Sequence, residues 1–491
     1  METGADMVAK SFKEWIYKQD NIDRLANYKR YDDYYDGDIE FHLAPKVREA
    51  LGSDFRVIAH YPKTIVNKAV GYLCGNQINI EVKPDLFDIE DPEARDELRA
   101  EAKNVERFLY GVYRANQFMK QNIIKLVRIQ GKKGDVFIKV YPDYEDEANP
   151  IKLRVLKPDI VFPKYKDDDV QTLEYVAIVI SRIGQDGKLY KYAQVFWPDI
   201  VIEFAQEGND KDWTEIARHE NIIGMIPVVH IKNTDDDRIW GESDIEPITT
   251  LVDAICKALT DMTVNADYQS FQRVFTTGQN EPYEQDDNRA YNNLLQQETG
   301  PGIRTNLPDP NSSVFIVDPV NPMGLIEIIK TLREEISFHS RVPQVALGKA
   351  DGAGAASSLS LRIHYQPLDD KCDEKGTLAS NGLQQMNDII FAYQKHLTNG
   401  KEDYTEYNTE VRFDVSMPSD RIEEENIRDI QIRNQIKSRE TAMEEIGVED
   451  PEREKEKILQ EQQELQLDLY SRRVDADLEE LLGGGEGEVE L

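Results

Sequence analysis

Apolar residues recur every three or four positions in several stretches of the chain, the pattern of helices with one buried face. These stretches begin near Ile65, Ile248, Leu325 and Leu359. In the middle third of the chain, apolar and polar residues alternate in short runs separated by turns such as GKKG at Gly131–Gly134. That alternation favours an antiparallel sheet over a doubly wound parallel one. The pattern therefore predicts an α+β fold in which sheet and long helices occupy different parts of the sequence.

Two of the predicted helices bracket an insertion. Ser243 and Glu246 have capping-box spacing at the start of the first helix, and the second helix begins after Gly324. The segment between them, from about Tyr268 to Gly324, contains the strand-like runs FQRVFTTG and SSVFIVD. Two helices with such an insertion predict a hairpin that carries a small head.

The C-terminal half begins with a Gly/Ala-rich segment, Pro343–Ser358, whose composition predicts a flexible loop. A long helix should follow from Leu359 to Leu397, with soft breaks near Pro367, Gly376 and Gly382. A strand, EVRFDVSM, precedes a highly charged helical region that begins after Pro418. The tail GGGEGEVEL has the composition of a disordered segment.

The acidic balance of the chain narrows the classes of partner. The 491 residues carry 93 acidic against 59 basic side chains, a formal net charge of −34. Proteins that grip DNA present basic surface instead, because binding is driven by neutralising phosphates. The three cysteines are far apart and form no CxxC pair, which argues against a disulfide framework or a zinc site. We find no apolar stretch of membrane-spanning length and no signal-peptide pattern at the start.

Candidate chemical sites are weak throughout the sequence. The acidic triplets at residues 167–169 and 235–237 could attract divalent cations, but solvated turns explain them better. Lys349 follows Gly348 without the Ser or Thr of a phosphate loop, and His339 is better explained as a structural residue than as a general base. The tyrosines of YKRYDDYY, residues 28–35, favour packing and hydrogen bonding at an interface over base stacking. The sequence predicts no active site, no bound metal and no cofactor.

Several segments, taken together and in order, resemble the portal proteins of tailed bacteriophages, in particular the Bacillus siphophage type. No single segment is a signature, but together they cover nearly the whole chain. The matching stretches are YYDGD (34–38), YPKTIVNKAVGYLCGNQINIE (61–81), the helices at 243–262 and from 325, the Gly/Ala loop with SLSLRIHYQPLDDKCDEK after it, FDVSMPSDRIEEENI and SRETAMEEIGVEDPEREKEKI.

The resemblance implies a ring, usually of twelve subunits, and a division of the chain into named parts. An α/β wing would comprise residues 1–240 and 357–417, and a two-helix stem residues 241–268 and 325–342. A small α/β clip would be 269–324, the tunnel loop 343–356, a helical crown 418–482 and a disordered tail 483–491.

The resemblance also implies the partners. Double-stranded DNA would pass through the ring without sequence-specific contacts, lined at its narrowest point by the tunnel-loop residues Gly348, Lys349, Ala350, Asp351, Gly352, Ala353 and Gly354. The clip would dock the terminase large subunit and later a head-completion adaptor, with candidate contacts Phe271, Arg273, Glu281 and Tyr283. The wing would meet the major capsid and scaffolding proteins at the portal vertex of the virion, after assembly in the host cytoplasm. With Lys349 and Asp351 as its only formal charges, the loop departs from a strongly cationic channel.

Two other classes remain open at the level of the sequence. One is an acidic metal-dependent nuclease or transferase that uses a carboxylate cluster. The other is an assembly scaffold or chaperone with an acidic helical tail, which would have no central hole. The inserted head and the adjacent Gly-rich loop fit a portal better than a generic scaffold.

Overall fold

The helices begin and end where the residues allow. In the computed structural model, Pro62 and Pro92 occupy the first turns of their helices, where a missing N–H costs nothing. Gly37 and Gly134 end theirs in the left-handed conformation. The helices are α1 (Gln19–Asp36), α2 (Tyr61–Leu73), α3 (Pro92–Ala115), α4 (Gln121–Lys133), α5 (Thr249–Ser270), α6 (Pro322–Ser340) and α7 (Ser358–Leu397).

The structure describes part of the chain, and the account below is confined to that part. The described ranges are 12–39, 56–84, 91–169, 172–183, 188–207, 213–270, 274–277, 304–307, 322–348, 358–415, 429–434, 436–439, 442–443 and 453–461. The chain divides into two units, Met1–Met417 and Pro418–Leu491. The described helical residues of the second unit are 429–433, 442–443, 453–461 and 439.

Within the described ranges the strands form four sheets, and the two larger ones are antiparallel, as the alternation in the middle third of the chain predicts. The strands are β1 (Asn79–Lys83), β2 (Asp135–Pro142), β3 (Ile151–Leu156), β4 (Val161–Tyr165), β5 (Leu173–Ile183), β6 (Leu189–Phe196), β7 (Ile200–Glu207), β8 (Thr214–Glu220), β9 (Val228–Lys232), β10 (Val274–Thr277), β11 (Arg304–Leu307) and β12 (Asn408–Arg412). A five-stranded antiparallel meander runs β4-β5-β6-β7-β8, and an antiparallel trio runs β3-β2-β9. β1 pairs antiparallel with β12, and β10 pairs parallel with β11.

The first unit has one large core and two smaller ones. The large core joins the helices to one face of the three-stranded sheet, through side chains such as Leu109, Ile138, Ile231 and Phe391. The smaller cores cover the two faces of the meander. One of them includes Phe12 and Phe204, which stack with ring centroids 5.3 Å apart. The other includes Phe137 and Val228 of the three-stranded sheet, so the two sheets pack against each other there.

Three local predictions differ from the structure. The acidic, proline-containing segment 84–97 predicts a surface excursion, but residues 92–97 are the first turns of α3, because Asp91 accepts a hydrogen bond from the Glu93 N–H and caps the helix. GKKG is not a free turn: Gly131–Lys133 belong to α4, and only Gly134 leaves it. α7 is continuous through Pro367, Gly376 and Gly382.

The glycines of α7 serve close packing rather than breaks. A Cβ at Gly382 would lie 2.3 Å from Cγ1 of Ile231 in β9, and one at Gly376 would lie 3.2 Å from Cδ1 of Leu73 in α2. Pro367 lies on the exposed side of α7, where water can satisfy the carbonyl that loses its helical partner. None of the helices in the described ranges is both long and apolar enough to cross a membrane.

Candidate functional site

Residues 233–248, here called the junction segment, connect β9 to α5 and lie against the C-terminal end of α4. The Asn233 N–H donates to the Gly134 carbonyl at 2.7 Å, and the Asp244 N–H donates to the Gly131 carbonyl at 2.9 Å. The backbones of Gly134 and Gly241 approach so closely that a Cβ at Gly134 would lie 2.2 Å from the Gly241 carbonyl oxygen. Glycine at both positions therefore fixes how the sheet is joined to α5.

The start of α5 is organised differently from the predicted capping box. A 3-10 turn at Glu246–Ile248 precedes the α-helix. The Ser243 hydroxyl accepts from the Ile245 N–H at 3.1 Å and donates to the Lys132 carbonyl at 2.6 Å. The Glu246 carboxylate forms an ion pair with Arg30 of α1 instead of reaching back to Ser243. The capping-box prediction is wrong, because both side chains bond to α1 and α4 across the core.

Asp244 is buried with two lysines of α7. Its carboxylate forms an ion pair with Lys375, lies 3.2 Å from Nζ of Lys371, and accepts from the Asn233 amide at 3.2 Å. The side chains of Asp244 and Lys375 are each 4% exposed and that of Lys371 is 9% exposed. We call these three charged residues the Asp244 cluster. Buried charges are tolerated when they are paired and hydrogen-bonded in this way.

The cluster shifts the pKa values of its members. Burial raises the pKa of the Asp244 carboxyl, but Lys371 and Lys375 outweigh burial, so that pKa is lowered to about 2. Burial lowers the pKa of the Lys371 amine, against the attraction of Asp244. The lowered pKa of Asp244 favours the ionised pair, whereas the lowered pKa of Lys371 opposes it. The geometry accounts for both, since one carboxylate is shared between two desolvated amines.

The end of α6 is attached to the same cluster. Nζ of Lys371 donates to the carbonyl of Ser340, the last residue of α6, at 2.8 Å. Residues 341–348, here called the turn segment, follow as three successive turns closed by the N–H groups of Ala346, Leu347 and Gly348. Val342 is fully buried and Ala346 is 6% exposed. The first part of the predicted flexible loop is therefore packed into the core.

A second buried network centres on Asp135 at the start of β2. Its carboxylate accepts from the Tyr28 hydroxyl at 2.6 Å and from the Gly241 N–H at 3.0 Å, and lies 2.8 Å from Nε2 of His230. The other ring nitrogen of His230 is hydrogen-bonded to the Tyr165 hydroxyl. Burial and the Asp135 charge raise the pKa of Tyr28 well above its ordinary value. The network joins α1, the three-stranded sheet, the five-stranded sheet and the junction segment. The side chains of Asp135 and His230 are buried, so neither is open to a substrate.

The predicted site residues fall mostly outside the described ranges. Of the tunnel-loop set only Gly348 is described, at a positive φ of 88° at the end of the turn segment. The other six members lie beyond that point, and so do the clip candidates Phe271, Arg273, Glu281 and Tyr283. The strand prediction for FQRVFTTG is confirmed at Val274–Thr277, and SSVFIVD lies outside the described residues.

The alternative chemical sites gain no support. Asp235 pairs with Lys232 at 2.5 Å and Asp236 with Arg238, so these acids bond to their own neighbours. His339 is half exposed, 3.6 Å from Glu335 on the same helix. Within the described ranges no group of His, Cys, Asp and Glu side chains could hold a metal ion.

The tyrosines of residues 28–35 are not an exposed interface. Tyr28, Tyr31, Tyr34 and Tyr35 are all at most 8% exposed. Tyr34 donates to Asp253 at 2.8 Å and Tyr35 to Asn67 at 2.9 Å. Their predicted packing and hydrogen bonding take place inside the chain, where α1 meets α2, α5 and β2.

Sequence reasoning missed the Asp244 cluster. One signal was present: Lys371 and Lys375 are four residues apart on a helix face that also carries Leu368, Cys372 and Ala379, all buried. Two lysines on an apolar face indicate a buried acidic partner, because a lone buried ammonium ion is very unfavourable. The partner itself lies more than a hundred residues away, so the sequence could not identify it.

Comparison with known proteins gives the class. A family model described as phage portal protein, SPP1 Gp6-like, matches residues 16–467. That range covers over nine-tenths of the sequence, and the chain therefore belongs to this family of phage portal proteins. No curated protein matches the chain.

Membership of the family establishes the general role. The chain is a portal vertex subunit that serves DNA packaging, a head–tail connector component of a bacteriophage virion. Proteins of this family are structural rather than enzymatic, and dodecamers are typical of them. The family in general forms ring oligomers associated with capsid and terminase.

Proposed function

We propose that twelve copies of this chain close into a ring whose central channel carries double-stranded DNA into and out of the capsid. In this assembly residues 241–268 and 325–342, which contain most of α5 and α6, form the stem, residues 269–324 the clip, and residues 1–240 with 357–417 the wing. Residues 418–482 form the crown and residues 343–356 the tunnel loop. The terminase large subunit and later a head-completion adaptor dock on the clip, and capsid and scaffolding proteins contact the wing. The ring assembles in the host cytoplasm before it becomes the portal vertex.

The ring is supported above all by apolar side chains that are exposed on α6. Phe338 is 79% exposed and Ile326 is 52% exposed, although both lie on a helix. At 3.6 residues per turn, Phe338 lies about 120° from Ile326 and on the opposite side of the helix from the buried Ile329 and Ile336, whereas Ile326 lies at the edge of the buried face. Ile363, near the start of α7, is 62% exposed. Large apolar side chains exposed together mark surface that a partner covers, and a neighbouring copy is the partner that a ring supplies.

The acidic charge of the chain supports a channel that does not hold DNA. A net charge of −34 per copy makes most of the ring surface repel phosphates. Each basic contact to a phosphate would add a salt-sensitive attraction that resists movement. Only Lys349 offers such a contact in the proposed tunnel loop. DNA is therefore guided along the axis rather than bound to it.

The first test is the particle mass and shape of the purified protein, by mass photometry and negative-stain imaging. Twelve copies of the 56.5 kDa chain would give a particle of about 680 kDa, with a central hole in end-on views. A folded protein that remains a single chain at every concentration, with and without scaffolding protein, would refute the ring.

Substitutions on α6 test the observation itself. We expect Phe338→Glu and Ile326→Glu each to shift the mass distribution towards single chains, because a buried carboxylate would be unpaired in the interface. The matched control is Tyr144→Glu, which changes another exposed ring, 67% exposed, in the loop between β2 and β3. The control should assemble normally. Full assembly of both α6 variants would show that this surface is not the ring interface.

A further inference from the structure

We propose that Lys371, held in place by Asp244, is a clamp that fixes the end of α6 and the turn segment that follows it relative to α7 and the junction segment. The inference deepens the proposed function, since it depends on these residues lining the channel. The clamp consists of the Asp244 cluster and the Ser340 carbonyl. Its role is to keep the turn segment at a fixed position while α6 and α7 bear the force of moving DNA.

The first step of the argument concerns the C-terminal end of α6. The last carbonyls of a helix have no partner within it, and a cation placed there is favourable. Lys371 supplies that cation to the Ser340 carbonyl at 2.8 Å, in a buried position. The adjoining residues are fixed as well: the Ser337 hydroxyl donates to the Val342 carbonyl at 2.7 Å, and the Val342 N–H donates to the Ser340 hydroxyl at 3.3 Å.

The second step concerns α7. Lys371 lies 13 residues after Ser358, which is about 20 Å along the helix axis at 1.5 Å per residue. Its amine therefore joins the end of α6 to a point well inside α7. Lys375, one turn further on, pairs with the other oxygen of the same carboxylate. The end of α6 is thus bound to Lys371 of α7, and Lys371 and Lys375 are both bound to Asp244.

The third step concerns what holds Asp244. Its N–H donates to the Gly131 carbonyl at 2.9 Å, and Asn233 donates both to its carboxylate and to the Glu242 carbonyl. A Cβ at Gly131 would lie 2.8 Å from Asp244 Oδ2 and 3.1 Å from Lys375 Nζ. A methyl group at Gly131 would therefore force the carboxylate or the amine to shift. The carboxylate therefore has a single position, set by α4 and the junction segment.

The test is hydrogen–deuterium exchange of the assembled protein, read on peptides that cover the turn segment. We expect Lys371→Met to speed exchange in residues 341–348 at least tenfold. The Ser340 carbonyl at the end of α6 would lose the ammonium group that donates to it. The matched control is Lys133→Met. Lys133 is equally buried, at 5% exposed, and pairs with Asp159 at 2.6 Å and with Asp32 at 2.9 Å.

Both variants should lower the unfolding midpoint, so only the location of the change in exchange is informative. The clamp is supported if Lys371→Met alone loosens the turn segment. It is overturned if the segment is unchanged in Lys371→Met, or if Lys133→Met loosens it equally.

A triple variant separates positioning from general stability. Asp244→Leu with Lys371→Met and Lys375→Met replaces the cluster with apolar side chains of similar size, a change that commonly preserves stability. We expect a near-normal unfolding midpoint with fast exchange in residues 341–348, because the Ser340 carbonyl still lacks its donor. Slow exchange in this variant would show that packing alone holds the segment, and the clamp would be wrong. The triple variant also serves if Lys371→Met alone fails to fold.

A packaging reaction then distinguishes this inference from the proposed function. Portal rings with Lys371→Met should package less DNA per capsid than rings with Lys133→Met. Faster exchange together with normal packaging would confirm the clamp and refute the channel role of the segment. Unchanged exchange would refute the clamp whatever the packaging result.

Discussion

Gly134 offers the sharpest test of how the sheet is joined to the stem helices. Its φ is +87°, in the left-handed region, and a Cβ there would lie 2.2 Å from the Gly241 carbonyl oxygen. The perturbation is Gly134→Ala, which adds one methyl group. Two separate costs arise, since the new side chain disfavours the backbone conformation and also collides with backbone that cannot rotate away.

Each cost has a matched single-cost control in the same chain. Gly400 has a φ of +77° and open space around it, so Gly400→Ala carries only the conformational cost. Gly241 has no left-handed φ, but its Cβ would lie 2.2 Å from the Gly134 oxygen, so Gly241→Ala carries only the collision. Gly71 has neither problem and lies on the exposed side of α2.

The expected magnitudes follow from these geometries. A left-handed non-glycine residue costs roughly 1–2 kcal/mol, and so Gly400→Ala should destabilise by about that amount. Overpacking typically costs about 1–3 kcal/mol, which is the expectation for Gly241→Ala. Gly134→Ala should combine them, at about 2–5 kcal/mol. Gly71→Ala should stabilise by about 0.5–1 kcal/mol, because alanine is the better helix former.

The assay is urea unfolding of the four variants and the unchanged chain, followed by circular dichroism at equal protein concentration. Gly71→Ala should be the most stable, followed by the unchanged chain, then by Gly400→Ala and Gly241→Ala, with Gly134→Ala the least stable. A Gly134→Ala variant no less stable than Gly400→Ala would refute the close approach of Gly134 and Gly241. The junction would then have to be joined in another way.

Two further predictions follow from the buried titratable groups. Cys74 and Cys372 are buried, and burial raises the pKa of each thiol to about 12, so a thiol reagent should label neither in the native protein and both after unfolding; labelling of either under native conditions would contradict their burial. The low pKa of Asp244, about 2, means that its carboxylate stabilises the fold above the unfolded pKa near 3.8 and loses this effect as pH falls towards 2. The difference in unfolding free energy between the unchanged chain and Asp244→Asn should therefore narrow by about 1 kcal/mol between pH 6 and pH 3, and a constant difference would show that Asp244 is not held ionised.

Much of the local structure could be predicted from periodicity. The apolar spacing that begins near Ile65 predicts the helix at Tyr61–Leu73, and the alternation of INIEV, residues 78–82, predicts the strand at Asn79–Lys83. The antiparallel meander was expected from alternation with turns. These features depend on residues within a few positions of one another, and that is the information a sequence pattern carries.

Side-chain roles were less predictable because their partners are distant. The tyrosines of YKRYDDYY predict packing and hydrogen bonding at an interface. In the structure Tyr28 bonds to Asp135 and Tyr34 to Asp253, residues that lie far away in the chain. Without those partners in view, an interface between subunits was the simpler explanation. Glycine was misread for the same reason: Gly382 was predicted as a break in α7, and its true role depends on Ile231 of β9.

The first part of the predicted tunnel loop is packed, although its composition predicts flexibility. Composition correctly marks residues 343–358 as small and weakly charged, but three turns and the buried Val342 and Ala346 anchor its first part. Valine and alanine carry no flexibility signal of their own, and whether they pack depends on what lies beneath them. Here that is the end of α6 and the large core.

Two buried carboxylates, those of Asp135 and Asp244, hold the junction segment in place. Asp135 accepts the Gly241 N–H, and Asp244 belongs to the segment itself. Apolar packing can tolerate small slides, whereas a buried carboxylate that loses a partner is left with an uncompensated charge. The connection between the sheets and α5 is thus held by directional bonds at two points, Gly241 and Asp244, three residues apart in the junction segment. A force applied to α5 or α6 should be transmitted to the sheets through these bonds before the apolar core rearranges.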